Sequence, residues 1–505
     1  MTYTIKLEKN YIGIPIQAEW PEEEMAIFCG DKQLFEFKVP VCKDKEKVKY
    51  DYFSYLNVSE YKGQELTVTG NMGEAFFENI CQCDEYSYEE LKRPLLHFTA
   101  ERGWINDPNG MVYHNGQYHL YFQYNPMNTQ WQNMSWGHSV STDLLQFKQV
   151  ENVMYPDEYG TMFSGCGLVN DREMLGLPKD ALLFVYTTAG RFGTWSKDVP
   201  FKQRIAYSLD EGKTLVKIPE AVIGEIALET RDTKVFWHEE SQAYITPLYI
   251  EENEFRIFRS ENLKDWTETD KFILPKAWEC PDLFRLDCEG EEVWVFTTAD
   301  GFYYYGEFDG YKFTTDGVQR MAYMTRLPYA AQSYSNVEGR VISIPWIRTL
   351  NKGRLYTGMM GIPRELNLVK VNGEKVLSMV PVREYEASKK QISQFDWNGQ
   401  EFSVNVPDPA VAEVELYPQG SEKITVNVYG EELIIREQSV TYKEQEIVFK
   451  EALQDIHVIV DREIIEIHAN NGTGNVYFET GSDELQGRII IDGCKGKGKI
   501  YIWQP

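Results

Sequence analysis

The sequence predicts an all-β protein, and three observations carry that reading. Most segments alternate apolar and polar residues over about five to eight positions and then meet Gly, Asn, Asp or Pro, which is the punctuation of strands and turns. Asn115-Gly116, Asp309-Gly310 and Asn372-Gly373 fall between such runs, where a two-residue hairpin turn needs positive φ. A loose internal repeat runs through residues 94 to 386. In it Asp107, Asp232 and Asp282 each open a strand, and a turn and an aromatic strand follow (Tyr118 to Phe122, Ala243 to Thr246, Val293 to Phe296). Long helical periodicity is almost absent.

Taken in order, residues 1–90 read as a small N-terminal β domain that ends in an acidic stretch around Asp84 to Glu90. Residues 93–386 carry the repeat, together with a Ser-x-Asp/Asn element at Ser141, Ser208 and Ser260. Units of roughly 50 to 65 residues with about four strands each suggest the blades of a β-propeller, and the region has room for about five. The first strand of each blade would line the central axis, so acids from distant motifs could meet there. Residues 387–396 look like a linker. Residues 395–505 alternate regularly, as in Ile424 to Val428 and Ile456 to Val460, with turns about every 8 to 12 residues, the signature of a β-sandwich.

The chain has 505 residues, 51 Lys and Arg against 78 Asp and Glu, and a formal charge of −27, which argues against nucleic acid or an anionic membrane as partner. Aromatic residues make up 14%, a content that suits both β cores and sugar-stacking surfaces, with most assigned to the core. The N-terminus has no apolar leader and no stretch approaches a membrane span. The expectation is therefore a cytoplasmic protein, or a secreted one if a signal has been trimmed. Eight scattered cysteines suit reduced thiols. Cys81 and Cys83 are the one close pair and lack a second pair at zinc spacing, so no metal site is expected. His114 and His119, flanking a strand-like run, read as structural hydrogen-bonding groups.

Three acidic motifs carry the chemistry: Trp104 to Gly110, Glu229 to Lys234, and Trp278 to Asp282. Asp107, in a tight turn before Pro108-Asn109-Gly110, reads either as an Asx-turn residue or as a presented nucleophile. Glu279, between Trp278 and Cys280, is expected to be poorly solvated, with a raised pKa that suits a general acid. Asp232 follows Arg231, which should favour its ionised form. Carboxyl groups with separable roles, converging from distant strands, are what glycosidic bond cleavage requires.

The run from Arg93-Pro94 through His97-Phe98, Trp104 to Gly110 and Tyr118 to Pro126 resembles the start of the catalytic domain of glycoside hydrolase family 32, which contains invertases, inulinases and levanases. Trp136-Gly137-His138, Phe163-Ser164-Gly165, Arg231-Asp232, Glu279 to Asp282, Tyr329 to Gln332, Pro363 to Leu366 and Asp461 to Glu466 continue the resemblance in the same order. It covers roughly residues 93–505 and leaves the first 90 outside. The resemblance implies a five-bladed propeller followed by a sandwich, retaining hydrolysis of β-fructofuranosides, and no cofactor or metal. The substrate it implies is a fructose-containing oligo- or polysaccharide. Asp107 would be the nucleophile, Glu279 the acid/base and Asp232 the transition-state stabiliser. Trp104, Asn106, Gln123, Trp131, Phe163, Ser164, Arg231 and Trp346 would shape the fructose subsite.

Two departures stand out. Thr233 replaces the family's usual Pro, which is expected to loosen the strand start bearing Asp232. Glu463 replaces a usual Ser and reads as surface drift. A fructosyltransferase, a carbohydrate-binding propeller without activity and an inverting pentose-releasing hydrolase remain alternatives. The N-terminal 90 residues could form a binding module, a dimer contact or a lid. Oligomeric state, natural fructan, a phosphorylated substrate and exo or endo action stay open.

Overall fold

The computed structural model describes residues 1–42, 49–407, 410–420, 423–481, 487–493 and 495–505, so Cys494 lies outside the described residues. Among these residues the chain is nearly all strand. Its α-helices are two short ones, Glu74–Glu78 and Arg383–Ser388, and no helix is long and apolar enough to cross a membrane.

The N-terminal strands form two facing sheets. Thr2–Lys6, Glu65–Gly70, Glu22–Cys29 and Lys32–Pro40 make one, and Tyr52–Asn57, Tyr11–Ile16 and Cys81–Cys83 make the other. Their alternating inward residues, among them Ile12, Ile14, Met25, Ile27, Phe37 and Val68, close a core that also takes in Met127 from beyond this region.

Five antiparallel meanders follow; four run up and down through successive strands, and the fifth has two short strands inserted between its second and third. They start with the strands Gly103–His114, Thr161–Val169, Phe236–His238, Asp282–Cys288 and Pro328–Ser333. These first strands pack on one another. Gly167 lies against the Gly110 carbonyl so closely that a Cβ would sit 2.5 Å from it. The Val235 amide donates to Cys166 Sγ at 3.0 Å, the Tyr113 amide donates to the Ser335 carbonyl at 3.1 Å, and the Ser335 amide donates to the Met111 carbonyl at 3.0 Å. Lys234 Nζ donates to the Ser333 carbonyl. The strand Tyr356–Thr357, from the fifth meander's region, pairs in parallel with Gly103 and Trp104, which ties the last sheet to the first.

The sequence repeats have structural counterparts. Ser141, Ser208 and Ser260 each end the third strand of their sheet, and each hydroxyl donates to the acid or amide two residues on, at 2.8, 2.7 and 3.2 Å. Asn115-Gly116 and Asn372-Gly373 adopt positive φ at both positions, the geometry that two-residue hairpins need.

Two six-stranded sheets complete the chain. The stretch expected to be a linker is ordered structure instead. After the helix Arg383–Ser388, the strand Lys390–Asn398 pairs along Lys495–Trp503 and stacks Phe395 on Phe402 at 4.0 Å. Its polar composition hid an edge strand, because only one face is buried.

A buried polar seam joins the sandwich to the meanders. Asp461 accepts the amides of Leu95, Leu96 and His97 at 2.8 to 3.1 Å, and the His97 ring bridges Asp461 and Glu466 at 2.9 Å each. Arg364 pairs with Glu466. Glu463 belongs to this seam: it accepts from Tyr356 and pairs with Arg354 at 3.0 Å. It is buried, which corrects the reading of surface drift.

Candidate active site

Asp107 lies where the strand Gly103–His114 breaks register between Ile105 and Pro108, a bulge of the kind that re-aims a side chain. Ser164 Oγ donates to its Oδ2 at 2.6 Å, Gln123 Nε2 to the same oxygen at 3.4 Å, and Asn106 Nδ2 to Oδ1 at 3.2 Å. Trp104 Nε1 holds Asn106 by its Oδ1 at 3.0 Å. Burial pushes the Asp107 carboxyl up. Ser164 opposes this shift, Glu279 adds to it, and Asn106 and Cys280 oppose it.

Asp232, Glu279 and Cys280 have φ of 65°, 45° and 42°, the left-handed region that costs a non-glycine residue about 1–3 kcal/mol. Three such residues in two acidic motifs mark a backbone held by its surroundings. Arg231 and Tyr249 exchange backbone bonds of 3.0 and 3.2 Å just before Asp232, and Thr233 Oγ1 bonds Thr246 Oγ1 at 2.8 Å just after it. The missing proline thus leaves the Asp232 turn anchored on both sides, although the regular strand begins only at Phe236.

The Cys280 thiol sits between the two aspartates, its Sγ 3.6 Å from Asp107 Oδ2 and 3.5 Å from Asp232 Oδ2, and the Cys280 amide donates to Asp232 at 3.1 Å. Burial and the three neighbouring carboxylates hold the thiol's pKa far up, so it serves as a donor. Glu279 is fixed by two groups: Arg231 Nη2 lies 2.5 Å from its Oε1, and the Tyr329 hydroxyl donates to Oε2 at 2.7 Å.

The electrostatics differ from the sequence expectation. Arg231 was expected to keep its neighbour Asp232 ionised, with Glu279 as the dry carboxyl. In the structure the guanidinium reaches Glu279, and its Nε stays 3.8 Å from Asp232. Trp278 is exposed and does not cover Glu279. Burial raises Asp232 to about 7 against the pull of Arg231, with Glu279 and Asp107 adding to the rise. Adjacency along the chain did not decide which acid the cation would serve.

All three carboxylates line one cavity of about 330 Å³, with Asn106, Gln123, Trp131, Phe163, Arg231 and Trp346 among its walls. Ser164 lies below, lining a narrow void together with Asp107 and Asp232. Trp104 does not line the cavity and acts on it through Asn106 and an edge contact with Trp346 at 5.7 Å. Sequence reasoning assigned no role to four lining residues, Tyr329, Glu229, Phe192 and Phe201. The first two lie in motifs that had been singled out. Phe192 and Phe201 lie in the connection after Leu182–Ala189 and had no signal. No cavity residue besides Arg231 is cationic.

Among the described residues, Glu413, His457 and His468 form a second cluster of metal-ligand types. Glu413 is occupied by Lys389, Tyr385 and His457, and Arg364 faces His468, so the cluster is an internal ion-pair network. His119 stacks on His138 and bonds it at 3.1 Å, and burial lowers its pKa to about 4, which fits the structural role read from sequence.

The sequence matches the family profile "Glycosyl hydrolases family 32 N-terminal domain" over residues 97–381. It is 33% identical to a levanase of Bacillus subtilis (strain 168) over 336 residues, 60% of this chain and 49% of that protein. It is 32% identical to an extracellular exo-inulinase of Aspergillus niger over 352 residues, 59% of this chain and 66% of that one. The chain thus spans half to two thirds of the length of these relatives. In structure it resembles an exo-inulinase from Aspergillus awamori, with a TM-score of 0.73 at 23% identity, covering 82% of this chain and 99% of the other. A family 32 structure from Bifidobacterium adolescentis matches over all of this chain and 99% of its own, with a TM-score of 0.68 at 18% identity. At these identities the structural likeness speaks to fold.

Proposed function

The chain belongs to glycosyl hydrolase family 32, and from that premise we propose that it cleaves β-fructofuranosidic bonds with retention, through a covalent fructosyl-enzyme. The observation that carries this reading is the single cavity walled by Asp107, Asp232 and Glu279. Asp107, aimed by its bulge and four side-chain donors, attacks the anomeric C2. Glu279, oriented by Arg231 and Tyr329, gives a proton to the leaving oxygen and later takes one from water. Asp232, buried and capped by the Cys280 amide, accepts from fructose hydroxyls as charge develops on the ring.

The same reading takes the five meanders as the blades of a propeller, with their first strands around its axis. It divides the chain into an accessory domain at 1–90, a catalytic domain at 93–386 and a sandwich at 395–505. The levanase and inulinase relatives make fructans and sucrose the substrates to try.

The test is product analysis on sucrose, inulin and levan side by side, with methanol added as a competing acceptor. Free fructose together with methyl β-fructofuranoside supports retaining hydrolysis. A methyl α-fructofuranoside, or no cleavage of any fructoside, overturns it. Fructo-oligosaccharides built up from sucrose, in place of free fructose, would identify a transferase on the same site.

A further inference from the structure

Part of the cavity wall is a cluster of rings. Trp131 meets Phe192 edge-on at 5.5 Å and Phe163 at 6.2 Å, and Phe163 meets Phe201 at 5.5 Å. Phe163 stands on a strand. Trp131 and Phe192 do not: they lie in the connections 126–134 and 190–201 of the first and second meanders. Aromatic rings bind a sugar well where they are held, and rings on irregular connections depend on the contacts that brace those connections.

The N-terminal sheets brace both. In the first connection, Asn133 acts as an extra strand partner, its Oδ1 accepting the Lys38 amide and its Nδ2 donating to the Lys38 carbonyl, each at 2.8 Å. Asn128 Nδ2 donates to Glu22 Oε1 at 2.7 Å, and Met127 is buried in the N-terminal core. In the second connection, the Glu36 carboxylate accepts the Trp195 amide at 3.0 Å and the Thr194 hydroxyl at 2.7 Å. A Cβ on Gly193, next to Phe192, would sit 2.2 Å from Glu36 Oε1, so any other residue there would displace the carboxylate. Glu36 and Lys38 are two apart on one strand, Lys32–Pro40, which therefore grips both ring-bearing connections at once.

The geometry points to the N-terminal domain as a positioning device for the sugar cavity, with Glu36 the residue that sets the Trp131–Phe192 wall. This rests on the reading of the cavity as a fructoside site. The three carboxylates sit in motifs held by the meanders themselves, so the brace governs how tightly the sugar is held and leaves bond cleavage itself alone.

The test compares Glu36→Ala, Glu36→Gln and Thr194→Val with the wild-type full-length chain in two ways. Hydrogen exchange should rise in 190–201 of Glu36→Ala, the connection its carboxylate holds, and stay unchanged in the sandwich strand Val411–Pro418. KM for a fructo-oligosaccharide should rise about five- to ten-fold with kcat within about two-fold, the size of a lost aromatic contact. Glu36→Gln, which keeps one acceptor oxygen, and Thr194→Val, which removes one donor, should fall between. Unchanged exchange in 190–201, exchange raised throughout the chain, or a fall in kcat at constant KM would each overturn the proposal. Exchange needs no turnover, so a wild-type protein inert on every fructoside would defeat the catalytic reading and still leave exchange to decide this one.

Discussion

Arg231 Nη2 lies 2.5 Å from Glu279 Oε1, across 48 residues of chain, while its Nε stays 3.8 Å from the adjacent Asp232. One cation thus serves a cavity of three carboxylates and fixes the outermost of them. Asp232 feels the same cation at longer range, and the inner two are otherwise set by burial, the Cys280 thiol and the Ser164 hydroxyl.

Arg231→Ala should lower kcat/KM by about a hundred-fold or more, in the range seen when a charge-stabilising donor is lost. Arg231 holds the Asp232 pKa down, so its removal raises that pKa beyond about 7. The acid limb of the kcat/KM profile should therefore move to higher pH. A profile that keeps its limb in place would contradict the role given to this cation.

Asp107→Asn and Glu279→Gln should each reduce turnover by at least about 10²–10⁴-fold with the fold intact. Azide should separate them. It replaces the base-activated water in Glu279→Gln, giving a β-fructosyl azide, and it does nothing for Asp107→Asn. Equal rescue of both variants would mean that the two roles are wrongly divided.

Asp232 is a buried acid whose folded pKa is raised from 3.8 to about 7. The folded state then holds a proton that the unfolded state releases between these values, so stability falls as pH climbs through that window. Asp232→Asn should raise the melting temperature at pH 8, by an amount worth on the order of 2–4 kcal/mol, and change it little at pH 4. An equal effect at both pH values would show that Asp232 titrates normally.

His97 poses the opposite case. Burial opposes its charge, but Glu466 and Asp461 outweigh burial and raise its pKa to about 9. Its ion pairs therefore contribute in full below pH 6.5, and the contribution is lost as pH rises through about 9. His97→Asn leaves two buried carboxylates short of a partner and should cost about 3–5 kcal/mol near neutral pH. Its melting temperature should also lose the wild-type decline toward pH 10. Melting curves of both proteins from pH 6 to 10 decide this.

The parts legible in the sequence are those that local physics fixes. The Asn-Gly hairpins require positive φ, and the Ser-x-Asp/Asn turns bond within two residues, so the chain announces them. The three acidic motifs were legible because each concentrates a carboxylate among turn-formers. Properties set by distant partners were not legible. Asp232 reads as ionised beside Arg231 until the guanidinium is seen to reach Glu279. Glu463 reads as a surface residue until Tyr356 and Arg354, more than a hundred residues earlier, enclose it. Phe192 and Phe201 lie in an irregular connection with no pattern of their own. Glu36 is one acid among many, on a half-buried edge strand, and its partners Thr194 and Trp195 lie some 160 residues away.

The most direct measurement is intact-protein mass spectrometry of Glu279→Gln incubated with a fructoside carrying an activated leaving group, followed by peptide mapping. The account predicts a gain of one anhydrofructosyl unit, placed on Asp107. Rapid release of fructose with no adduct, or an adduct on any other residue, would contradict it.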